Sequence, residues 1–175
     1  MPEGNTPSTS GSGNKMWYII GGIVILALIG WFLMRGAGSL IGAASGVDVD
    51  RGANGATTYS NEEGSVTVGS GASMPSNWPS DAPANFAGAN IVYSGTSNPQ
   101  TGQTGSAVSY TVNASAASVA DYYKQQLAAQ GWTIQSTANM AGATVVAATK
   151  DTRTMGVYIT DTADGNVSVV VGIEL

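Results

Sequence analysis

The chain contains no cysteine and no histidine. Without cysteine there can be no disulfide framework, no thiolate nucleophile and no lipid-carrying cysteine. Without both residues there is no Cys/His zinc site, and without histidine no Ser-His-Asp triad. Charge is also scarce. Only 10% of the 175 residues are charged, with six Lys and Arg against eleven Asp and Glu. The net charge of −5 and the scattered basic residues exclude a phosphate-gripping surface for nucleic acid and a polybasic membrane patch. The glycine-rich "GSGAS" has no Lys-Ser/Thr and no strand-then-helix context, so it is not a phosphate loop.

What the chain does have is one long apolar run. "MWYIIGGIVILALIGWFLM" extends from Met16 to Met34 without a charge and is bracketed by Lys15 and Arg35. As a helix it would reach roughly 28 Å, close to the hydrocarbon thickness of a bilayer. Trp17, Tyr18 and Trp31 lie near its ends, where aromatic belts form. We expect a single transmembrane helix over 16–34 behind a disordered tail at 1–15. The rival is a cleaved signal segment ending near "GAASG", against which the length of the run argues. The short tail and the polar, cysteine-free remainder favour an extracytoplasmic C-terminal domain. Gly38, Gly42 and Gly46 recur every four residues. They would suit close helix packing and self-association, or simply a small-residue linker.

Residues 35–83 read as a linker holding a small β-hairpin at 56–69. "DVDRGANG" begins like a calcium loop and fails, because the fifth position is Gly52 and the twelfth is Tyr59. The Pro-rich stretch at 70–83 is expected to tuck Trp78 against the domain that follows.

Over 84–175 the pattern is regular: two strand runs, a helix, then four more strand runs joined by turn residues such as Asp164-Gly165. The predicted order is β-β-α-β-β-β-β, an α+β domain in which one helix packs on an antiparallel sheet. Alternation puts Val108, Tyr110, Val112, Val145, Val157 and Val169 inward. Val146, Tyr158 and Val170 then point to the other face, which one helix cannot also cover. That face is either a partner-docking surface or is covered by the hairpin or the connector.

"DYYKQQLAAQGW", 121–132, poses a sharper choice. Its rings could form a stacking platform or the inner side of a helix. Val119, Tyr122, Tyr123 and Leu127 share one helical face. Ser118 and Asp121 have capping-box spacing. Gly131 suits the left-handed position after a helix, and Trp132 would then touch Leu127. Only Lys124 supplies a nearby cation, so core packing is the better reading.

Nothing points to catalysis or to a cofactor. Most carboxylates fall in turns and linkers, and the glycosylation triplets at Asn113 and Asn166 are of a kind common by chance. The segments "NWPSDAP", "GANIVYSG", "VADYYKQQLAAQGWTI" and "VSVVVGIEL" together resemble uncharacterised bacterial membrane-anchored envelope proteins, which join an N-terminal membrane helix to a small α+β domain. The resemblance implies a location outside the membrane, a non-enzymatic role and no catalytic residues. The expected function is therefore a membrane-tethered extracytoplasmic binding or structural module. A pilin-like polymerising subunit is the alternative, although "KMWYI" lacks a pilin-type glutamate, and a carboxylate enzyme is the more distant one.

Overall fold

The structure is a computed structural model and describes residues 48–61, 64–97, 104–140 and 142–175. These residues form strands β1 (Asp48–Arg51), β2 (Thr57–Asn61), β3 (Gly64–Val68), β4 (Asn90–Ser97) and β5 (Thr104–Val112), then helix α1 (Ala116–Ala129). Strands β6 (Thr133–Met140), β7 (Ala143–Lys150), β8 (Arg153–Asp161) and β9 (Val167–Glu174) follow. All nine strands join one sheet in the order β1-β2-β3-β4-β5-β9-β8-β7-β6, and each neighbouring pair is antiparallel.

This corrects the expected α+β architecture. The described protein is sheet-dominated, with one helix on a nine-stranded sheet. The hairpin expected inside a linker, β2–β3, continues the main sheet through Val66↔Gly95, Thr67↔Ser94 and Val68↔Tyr93. The physical reason is pairing: β4 would otherwise leave a row of backbone N–H and C=O groups without partners. The transmembrane helix expected over 16–34 falls in a part of the chain that the structure does not describe. Among the described residues no helix is long and apolar enough to cross a membrane.

The core lies between the sheet and α1. Val108, Val171, Val157 and Val146 form one cross-strand row on the helix side, and all four are almost fully buried. The helix meets this row with Val119, Tyr123 and Leu127, each without exposed surface. Burying a side chain of this size stabilises by about 1.5–3 kcal/mol relative to leaving it wet. The connector at 70–89 completes the layer, with Trp78 and Phe86 packed against the same core.

The helix begins three residues before the sequence signal suggested. Ser115, not Ser118, is the N-cap, and its hydroxyl accepts the Ser118 N–H at 3.1 Å. The C-terminal expectation agrees with the structure. Gly131 adopts φ of 79°. Its N–H bonds the Ala128 carbonyl at 3.2 Å, and the Trp132 N–H bonds the Leu127 carbonyl at 2.9 Å. That double closure is a Schellman ending, and it aims Trp132 back at the core.

Candidate functional site

The tyrosines of α1 come first because the sequence offered them as a stacking platform. Tyr123 is fully buried, and its hydroxyl bonds that of Tyr110 at 2.9 Å. Tyr122 donates to the carbonyls of Ala84 and Asn85 and meets Phe86 edge-on, with ring centroids 5.2 Å apart. Burial pushes the Tyr110 hydroxyl up to about 12 and that of Tyr123 further still. Both stay protonated and both are used inside the fold. The pair clamps the connector to α1 and β5 and offers no open ring face to a ligand.

A second cluster was not legible in the sequence, where Asp81 reads as an ordinary turn residue. Its carboxylate accepts two hydrogen bonds from Arg153, at 2.8 and 2.7 Å, and an ion pair from Lys150 at 2.7 Å. The Asp81 carbonyl accepts the Trp132 indole N–H at 2.6 Å, and the Arg153 guanidinium lies 5.2 Å from the centre of the Trp132 ring. Arg153 and Lys150 hold the carboxylate well below the usual range, chiefly through their hydrogen bonds. Asp81 thereby occupies both cations, so the cluster is a lock between the connector and the β7–β8 turn rather than an anion site.

The sign of its pH dependence follows. A carboxylate whose folded pKa lies below the ordinary 3.8 adds stability above that value, and the addition is lost as pH falls below it. The side chain keeps 36% exposure, so solvent screens the pairs. Asp81→Asn should therefore lose less stability than the unmodified chain between about pH 5 and about pH 2. Urea midpoints across that range measure it, and equal losses would show that the lock does not form in solution.

The remaining site is the sheet face turned away from α1. Val145 pairs with Tyr158, Tyr158 with Val170, Val170 with Ser109, and Ser109 with Tyr93. Of the three side chains expected on this face, Tyr158 and Val170 are there. Val146 is not: it lies fully buried under α1, and Val145 takes the place assigned to it. In "ATVVAATK" two adjacent valines satisfy either phase of a period-two pattern, and only the register with β8 decides between them.

This face is not the open surface the sequence suggested. Val145 is 6% exposed and Val170 8%, and Tyr158 is half-buried. Beside the Tyr158 row runs a row of small residues: Gly95, Ala107, Gly172, Gly156 and Ala147, each paired with the next. Tyr93 lies at one end. A Cβ added to Gly95 would stand 2.9 Å from the Tyr93 hydroxyl, so that hydroxyl occupies the space a side chain there would fill. Tyr93 is only 7% exposed, yet its hydroxyl has no hydrogen-bond partner. Burial pushes it up to about 12, which keeps it a donor. The Thr160 hydroxyl, in the next row on the same face, is likewise buried without a partner. In sequence the signal was glycine inside strand runs, "YSGTS", "TMGVY" and "VVGIE", but only the pairing register aligns them.

Among the described residues no three Asp or Glu side chains gather where they could hold a metal ion. The chain matches none of the curated proteins. Its residues 92–165, from within β4 to the β8–β9 turn and less than half of the chain, match the model of a START domain-like family.

Proposed function

We propose that this chain is a non-catalytic ligand-binding module, held at a membrane by the uncharged run from Met16 to Met34, and that its site is the sheet face turned away from α1. The observation that carries the site is Tyr93, whose hydroxyl is desolvated and unpartnered beside a row of small residues. Leaving a buried donor unmade costs about 1–3 kcal/mol, and a ligand that accepts from it recovers that cost. The START domain-like match supports a binding role, since such domains are typically binding modules. The composition of the run and the resemblance to membrane-anchored bacterial envelope proteins support the tether. The polar, cysteine-free composition of the remainder supports an extracytoplasmic position.

Two measurements test the reading. A thermal-shift survey of the full chain against saccharides, amphiphiles and short peptides should find a ligand that raises Tm by about 5 °C at a hundredfold excess over Kd. Amide shifts should then move at Tyr158 and Val170 and stay fixed at Val146. Shifts confined to the α1 side would place the site elsewhere. Carbonate-washed membranes should retain the chain, and recovery in the soluble fraction would remove the tether.

A further inference from the structure

We infer that residues 78–88 form a strap that opens as one piece on a sheet-and-helix body that stays folded, with Asp81 as its latch and Gly88 as its hinge. The strap lies on the α1 side of the sheet, so the inference does not rest on the face proposed above.

The strap is bonded to itself. The Ala82 N–H donates to the Pro79 carbonyl at 3.1 Å, and the Trp78 indole N–H donates to the Pro83 carbonyl at 3.2 Å. It contains no strand and no helix, so no backbone ladder ties it to the sheet. Its two ends differ. Asn77, just before it, is pinned. The Asn77 amide nitrogen donates to the carbonyls of Thr96 at 3.0 Å and Gly105 at 2.9 Å, and its oxygen accepts the Ser106 hydroxyl at 2.7 Å. At the far end Gly88 has φ of 81°, and a Cβ there would meet nothing within 4 Å. A hinge needs both backbone freedom and empty space.

The grip of the strap on the body is narrow. Asp81 supplies most of it, through Arg153 and Lys150 at its carboxylate and the Trp132 indole at its carbonyl. The other polar ties are the Tyr122 hydroxyl on the carbonyls of Ala84 and Asn85, and the Phe86 N–H on the Tyr110 hydroxyl at 3.4 Å. Ala82 and Pro83 are buried, but the large side chains Trp78 and Phe86 are only half-buried. By contrast, β8 pairs with both neighbouring strands along almost its whole length. Segments held by few contacts open at a lower free energy than laddered core.

Closure also leaves polar groups unmet. The Tyr110 and Tyr123 hydroxyls bring one hydrogen each and share one bond, while the Phe86 N–H already donates to Tyr110. Among the described residues, one of those two hydrogens has no acceptor. Asn85 Oδ1, in the strap itself, is buried without a partner. Water would meet both groups when the strap lifts, which lowers the cost of opening.

Residue-resolved hydrogen exchange on the full chain tests the inference. The Trp132 indole N–H and the Phe86 amide are bonded across the edge of the strap. Both should exchange at least about tenfold faster than the amides of the β8–β9 ladder. Asp81→Ala should speed these two protons by about tenfold. If that variant does not fold, Asp81→Asn serves in its place, with a few-fold rise. Val146→Ala, beneath α1, should speed the ladder by about tenfold and leave the two strap protons unchanged, because the body stays folded when the strap opens. Strap protons that exchange at the ladder rate, or that follow Val146→Ala, would overturn a separate opening. Strap protons indifferent to loss of the Asp81 charge would overturn the latch.

Discussion

Trp132→Ala is expected to lower the unfolding free energy by about 3–5 kcal/mol, the range for deleting a large buried aromatic side chain. Against a total of about 5–15 kcal/mol for a domain, that is among the largest losses a single substitution can cause here. Trp132 is 3% exposed and joins three parts of the fold. Its backbone N–H closes α1 on Leu127, its indole N–H holds the connector through the Asp81 carbonyl, and its ring lies under Arg153. Alanine keeps the first link, loses the other two and leaves a cavity. Trp132→Phe separates these effects. It retains most of the packing but gives up the indole hydrogen bond, for a smaller loss of about 1–2 kcal/mol. Urea unfolding of the three proteins measures both numbers. A loss below about 1 kcal/mol for alanine would mean that the connector does not depend on this contact.

Val146→Asp is expected to cost more than about 3 kcal/mol, because it leaves a buried charge with no partner. Val146 sits beneath α1 among Val157, Val171 and other fully buried side chains. The full chain should show a collapsed urea midpoint and loss of the near-ultraviolet signal of its buried aromatics. Tyr158→Asp is the control. Tyr158 is half-buried on the opposite face, so the variant should stay folded while losing the ligand of that face. The register of β7 on β8 makes this ordering, and the reverse ordering of the two variants would refute that register.

Both predictions bear on how much the sequence disclosed. The end of α1 was legible because its signals are local. A helical face of Val119, Tyr123 and Leu127, then Gly131 and Trp132, describes a Schellman ending within fourteen residues of chain. The start was displaced by one turn because Ser115 and Ser118 are chemically equivalent caps, and only the formed helix shows which one is used. The β-β-α-β-β-β-β succession was legible from alternation and turn residues, and it recurs as β4 to β9. The Asp81 lock was not, since its partners lie about seventy residues away in the chain. Nor was the small-residue row, whose members come from five strands.

By itself the sequence determined what chemistry is unavailable, the succession of strands and helix over 84–175, and how the helix stops. Those are matters of composition and of neighbours a few residues apart. Only the tertiary structure decided that β1–β3 extend the main sheet, that Val145 and not Val146 joins Tyr158 and Val170, and that Gly95, Gly172 and Gly156 share one cross-strand row with an unpartnered tyrosine hydroxyl over Gly95. Strand pairing is a contact between distant segments. Shifting it by one residue exchanges the two faces while leaving every local propensity unchanged.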